Sequence, residues 1–299
     1  MALTVPPVVR AIALYSTVAA KLRLKADEGE TPAWMNNTFD AITPGKRLAG
    51  IVQDLIFHGD ACLIVDRSGA EIRDALLMPR DVWQLDSLGR IMISGEPVED
   101  QSQFLYIDSL LPQGFLEYAA EAVTEYRSLR RTINDRADNP IPLIDLHVTE
   151  HFEGTEDELI AAQKDWNNAR RAPGGATAIT PLGIEAKPVS VGNADDELLI
   201  SAQNNMRLTM ANFLNINAAM LDGNNGTSDT YSNTLQNKNE FESLSMATWL
   251  TPIEQRFSQP DVMPIGRRVF FDNFDTVTED AKGNTGAAVA PAPIQEVNV

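Results

Sequence analysis

Cysteine is almost absent from this chain. Cys62 is the only one, so an intramolecular disulfide and a cysteine-based zinc site are both excluded. The lone thiol fits a reducing compartment. Basic residues are also scarce, with 24 Lys and Arg against 42 Asp and Glu and a formal net charge of −18. That excludes a broad basic surface of the kind that grips phosphates. No apolar run reaches the roughly 18 residues needed to span a bilayer. The segment Met1 to Leu22 lacks the basic start of a secretion signal, and Arg10 interrupts its apolar run. Asn36-Asn37-Thr38 and Asn225-Gly226-Thr227 then match the glycosylation pattern only by chance. The hydrophobic share is an ordinary 43% of 299 residues. That is enough for one large domain or two to three modest ones.

Helical periodicity is the clearest signal. Pro6-Pro7 opens an amphipathic helix whose face carries Val8, Ile12, Tyr15, Ala19 and Leu22. Thr43-Pro44 supplies an N-cap and a first-turn proline for a second helix. Leu48, Ile51, Val52 and Leu55 form its stripe, and Gly59 its stop. Short apolar runs at 61–65, 72–78, 82–85, 90–93 and 104–107 are separated by turn residues. Residues 60–110 therefore read as a small sheet region opened by a hairpin at Asp66 to Gly69. A long helix follows, with Leu116, Ala119, Val123, Tyr126, Leu129 and Ile133 on one side, ending at Asn139-Pro140.

Residues 140–190 predict a compact mixed segment. It holds strands at 143–148, 176–180 and 184–189, and a helix opened by the capping-box pair Thr155 and Glu158. A third long helix runs from about Asn193, with Asp195, Asp196 and Glu197 in its first turn. A polar, Gly-rich loop spans 222–232, and a fourth helix runs from Thr230 until Thr251-Pro252 ends or kinks it. Val269 to Asp272 suggests a strand. The stretch 280–299 has no helical or strand period and reads as a disordered tail.

No catalytic constellation emerges. His147 and His151 lie four apart beside Glu150 and Glu153, but no third strong ligand has metal-site spacing. His58 sits at a helix end, where capping explains it. Gly45-Lys46 ends like a phosphate loop, yet Arg47 stands where Ser or Thr should hold magnesium. Cys62 lies in an apolar run and reads as core. The sequence thus predicts no enzyme, no cofactor and no metal.

The order of motifs resembles the portal proteins of tailed, double-stranded DNA bacteriophages. The resemblance begins with Pro6-Pro7-Val8-Val9-Arg10-Ala11-Ile12, followed by the run from Leu55 through Gly59-Asp60-Ala61 to Val65. It continues through the long helix ending near Asn139-Pro140, and through Phe213-Leu214-Asn215-Ile216-Asn217, where the family usually has a Phe-Gly-Val-Pro-like stretch. It closes with Thr230-Tyr231-Ser232-Asn233 and Leu250-Thr251-Pro252-Ile253-Glu254. Two departures stand out: proline is missing near residue 217, and little sequence after residue 278 is left for a helical crown.

The resemblance implies an α+β portal-protein fold with a wing, a helical stem and a small α/β clip, the crown reduced or absent. It implies a wing at 1–112, a first stem helix at 113–138, a clip at 139–192 and a second stem helix at 193–217. Residues 218–279 would supply the tunnel loop, the tunnel helix and the C-terminal wing. It implies a ring, usually of twelve identical subunits, at one capsid vertex. Double-stranded DNA would pass through it during packaging and ejection. The large terminase subunit and later the head–tail adaptor would dock on the clip, and the major capsid protein would surround the ring. Assembly would take place in the host cytoplasm, with the product in the virion and no membrane involved. The DNA-facing tunnel loop would be Asp222, Gly223, Asn224, Asn225, Gly226, Thr227, Ser228 and Asp229. Arg127, Arg130 and Arg131 would contact phosphate, or equally would bridge to acidic neighbouring subunits. Another oligomeric connector or adaptor of the virion is the alternative, and a soluble acidic enzyme the third class. An acidic channel wall suits passage of DNA rather than capture.

Overall fold

The computed structural model describes residues 2–39, 41–138, 144–148, 155–171, 184–188, 194–221 and 239–272. Two compact units result. One combines Met1–Tyr126 with Asn205–Val299, and the other is the continuous stretch Arg127–Asn204.

Helix α1 (Pro6–Ala19) carries its two prolines in the first turn and buries Val8, Ala11, Ile12, Tyr15 and Ala19. It stops before Leu22, which the sequence placed on the same face. The chain straightens instead into strand β1 (Leu24–Ala26), then forms the short helix α2 (Ala33–Asn36). Helix α3 (Pro44–His58) is capped as expected. The Thr43 side chain accepts a hydrogen bond from the Lys46 N–H, and Gly59 takes the left-handed conformation at φ 83°. A side chain at Gly45 would stand 2.5 Å from the Ala20 carbonyl oxygen, so only glycine allows α1 and α3 to meet there.

The next region forms two sheets. Strands β2 (Asp60–Ser68), β3 (Glu71–Leu77) and, later, β7 (Phe104–Asp108) pair antiparallel in the order β3-β2-β7. Leu63 lies opposite Leu77 on one side and Leu105 on the other. Strands β4 (Trp83–Leu85), β5 (Ile91–Ile93) and β6 (Glu96–Pro97) form a separate sheet. Its Trp83 and Ile91 pack with Met78, with Cys62 of β2 and with Phe104 of β7 in a small second core between the two sheets. The Arg80 guanidinium lies 4.4 Å from the centre of the Trp83 ring and pairs with Asp60 at 2.9 Å.

The helix expected over 113–138 is broken. Helix α4 (Phe115–Tyr118) ends at Ala119, and α5 (Ala120–Asp138) restarts after it. The break shifts the phase, so Phe115 is buried and Leu116 is exposed. Strand β8 (Ile144–Val148), helix α6 (Glu156–Arg171) and strand β9 (Ile184–Pro188) follow. The Thr155 N–H donates to Glu158 Oε2 at 2.9 Å, the return half of the capping box. Strand β8 pairs antiparallel with β9, Ile144 opposite Pro188. The strand expected at 176–180 lies outside the described residues.

Helix α7 (Ala194–Phe213), the short α8 (Ala218–Leu221), a π-helical stretch (Phe241–Met246), helix α9 (Ala247–Phe257) and strand β10 (Val269–Phe271) complete the chain. Pro252 does not end α9. It lies inside, buried with Trp249, Leu250, Ile253 and Phe257. An interior proline costs about 3 kcal/mol, and burial of these neighbours on both sides offsets it. Strand β10 pairs with β1, Leu24 opposite Phe271.

Buried Arg47 is the main polar feature of this core. It donates to the carbonyls of Ala75 at 2.8 Å and Met35 at 3.0 Å, and to that of Trp34, and it faces Asp74 at 3.6 Å. It thereby joins α3 to α2 and β3. Arg47→Ala should lower stability by roughly 3–5 kcal/mol, because it leaves these partners unsatisfied in the interior. Urea unfolding followed by tryptophan fluorescence checks this.

Further along α3, burial and the neighbouring Asp60 carboxylate raise Asp54 to about 7, with Arg80 opposing. The folded protein therefore keeps a proton that the unfolded chain releases. This carboxyl's contribution falls as pH rises from about 4 to about 7, and is flat above. Asp54→Asn should melt higher than the natural chain at pH 8, by roughly 2–4 °C, and lose that advantage near pH 4. Thermal melts across this range decide it.

Candidate functional site

The three arginines singled out by sequence lie on α5. Arg127, Arg130 and Arg131 fall at i, i+3 and i+4, so they share one helix face, and all three are exposed. The loop from Asp222 to Asp229 lies outside the described residues. His147 is exposed on β8, and His151 is again outside the described residues. Among the described residues no group of three metal-ligating side chains gathers. Burial pushes the Cys62 thiol up to about 12, with the Asp60 carboxylate adding to it, so it packs and does not attack. His58, at the end of α3, is held below its ordinary value by burial and by Arg80.

What the structure does bring together is the joint at the end of α7. The Asn215 N–H donates to the Asn212 carbonyl, and the Ile216 N–H to that of Ala211. That pair of bonds is a Schellman motif, with Asn215 in the left-handed position at φ 50°. Asn217 then starts α8, its Oδ1 accepting from the Ala219 N–H at 3.0 Å. The proline missing near residue 217 is thus replaced by an asparagine cap.

Three elements clamp the turn. The Tyr15 hydroxyl on α1 lies 2.8 Å from the Leu214 carbonyl oxygen and 2.9 Å from that of Asn215. The Tyr118 hydroxyl on α4 donates to the Phe213 carbonyl at 2.8 Å. The Asn215 Nδ2 donates to Thr248 Oγ1 on α9 at 3.0 Å. Tyr15 also packs against Phe241 and, edge-on, against Trp249. Sequence reasoning placed Tyr15 on an apolar face and gave its hydroxyl no task. An asparagine just past an apolar helix was the one available signal for the stop.

Residues 6–283 match the family model for the phage portal protein. The chain belongs to the phage portal protein family. It is 25% identical to an HK97-family phage portal protein from Corynebacterium diphtheriae, over 97% of each chain and with a TM-score of 0.65. It also shares the fold of a chain in the virion of a native gene transfer agent particle, at 13% identity over 96% of this chain and 87% of that one, TM-score 0.73. A chain from the neck of the native particle, computed with C12 symmetry, matches at 12% identity over 96% and 87%, TM-score 0.72. No curated protein matches. The α+β fold is that of portal proteins, and a portal is a structural component of the virion. The connector or adaptor reading gains nothing from these likenesses.

In this portal protein the joint holds the backbone end of α7 and the start of the chain toward residues 222–229. Asn215→Gly should stay within about 1 kcal/mol of the natural chain, since glycine takes φ 50° freely but drops the bond to Thr248. Asn215→Val should cost roughly 2–3 kcal/mol, from left-handed strain and the same lost bond. Urea unfolding at one protein concentration measures both.

Proposed function

We propose that copies of this chain, twelve by analogy, close into a ring at one capsid vertex. Double-stranded DNA passes through the ring during packaging and ejection. The carrying observation concerns α5 and α7. Both are long, and both are largely exposed beyond the joint, including Leu198 and Ile200. A polar helix of 19 residues such as α5 is marginal in water without neighbours, and exposed leucine and isoleucine on α7 call for a covering surface. Adjacent subunits of a ring would supply both. The likeness to a neck chain computed with C12 symmetry supports the same reading.

In this reading residues 1–112 form the wing, α5 and α7 the stem, and 139–192 the clip. The clip receives the large terminase subunit and then the head–tail adaptor, while the major capsid protein surrounds the ring. Assembly takes place in the host cytoplasm. The loop Asp222 to Asp229 carries no Lys or Arg, which suits a wall along which DNA slides. Arg127, Arg130 and Arg131 serve as local phosphate contacts or as bridges between subunits.

Purified protein should appear as rings by negative-stain microscopy. Monomers and dimers alone would defeat the proposal. Shortening 223–229 should leave rings intact and reduce packaged DNA. Loss of the ring itself would remove the tunnel-loop assignment.

A further inference from the structure

The larger unit carries a groove of about 900 Å³. Trp34, Phe39, Ile72, Val262, Met263 and Pro264 supply its apolar lining. Phe39 is 83% exposed, and Ile265, next in the chain after Pro264, is 89% exposed. Large apolar groups gathered this way mark a binding surface rather than scattered surface residues. The rim carries Glu28, Glu30, Glu71 and Asp261 with Arg73 and Arg267, and Asp261 is paired with Arg256 at 2.8 Å.

The chain itself contains a segment that fits. Between Gly283 and Gln295 there is no charged residue, and Val289, Pro291, Pro293 and Ile294 lie within it. Alternating prolines favour the polyproline II conformation, which docks in grooves lined by aromatic and apolar side chains. The preceding stretch is charged, with Asp272, Asp275, Glu279, Asp280 and Lys282. An apolar lining favours the uncharged part over this charged stretch. Reach is ample: Arg267 lines the groove just before β10, and the 18 residue-to-residue steps from Asp272 to Ala290 extend to roughly 60 Å. Tethering also gives the segment an effective concentration of about millimolar order.

We propose that the groove holds the chain's own segment Ala290–Ile294. The bound segment covers Phe39 and keeps this apolar surface from capturing other chains.

Paired cysteines test this on the full chain, since Cys62 is buried and stays out of the chemistry. Glu30→Cys with Ile294→Cys should oxidise to an intrachain disulfide at least tenfold faster than Glu96→Cys with Ile294→Cys. Glu96 is exposed on β6 and outside the groove. Glu71→Cys serves as a second rim position. Adding Phe39→Ala, or Pro291→Ala with Pro293→Ala, should slow the rim reaction at least fivefold. Equal rates at the rim and at residue 96, or indifference to the Phe39 and proline changes, would overturn the proposal. A dimer-sized product would overturn it too, by giving the groove to a second copy's segment.

Discussion

The phenol of Tyr15 is the contact on which the larger unit turns. The last carbonyls of any helix lack partners within it. At the end of α7 those carbonyls are met from α1, by one hydroxyl poised between Leu214 and Asn215. Burial pushes this phenol well above its ordinary range, so it remains a proton donor at every physiological pH. A single hydroxyl has one proton to give. Sharing it between two carbonyls fixes the turn's position more than either bond would alone. Phe241 and Trp249 close around the ring, so α1, α7 and the C-terminal helical segment are locked by one side chain.

Arg47 does the corresponding work between α3, α2 and β3. A guanidinium offers five donors in a fixed fork, and three backbone carbonyls use it here. Few basic residues exist in this chain, yet one of them is spent in the interior on backbone groups that no water reaches. The remaining positive charge on α5 sits in the open. The division between a tied-down core and long exposed helices suits a protein whose remaining contacts come from its own copies.

Local pattern revealed much of this. The starts of α1, α3 and α6 were legible because prolines, Thr43 and Thr155 act within one turn of themselves. The hairpin of β2 and β3 was legible for the same reason. What escaped depended on distant residues. Leu22 fits the α1 period, but β1 is claimed by Phe271 and its neighbours. Pro252 carries the usual stop signal, and only burial of Trp249 and Ile253 overrides it. The split of the sheet region was not legible, because Trp83 on β4 packs with Cys62 on β2 through a tertiary contact that no local pattern announces. Of the candidate site, the arginines of α5 fall on an exposed helix face as their spacing suggests, whereas the joint was hidden in a tyrosine that reads as apolar.

The pairing of β1 with β10 also sets a timetable. Leu24 is made 247 residues before its partner Phe271. At about 5–20 residues per second that gap lasts roughly 12–50 s. Throughout it β1 has no partner strand, and for most of it Tyr15 lacks the Leu214 and Asn215 carbonyls that it holds. The stretch Arg127–Asn204 is continuous and needs no such wait. The larger unit closes only when nearly the whole chain is out, so a half-made subunit has no finished surface to offer its neighbours.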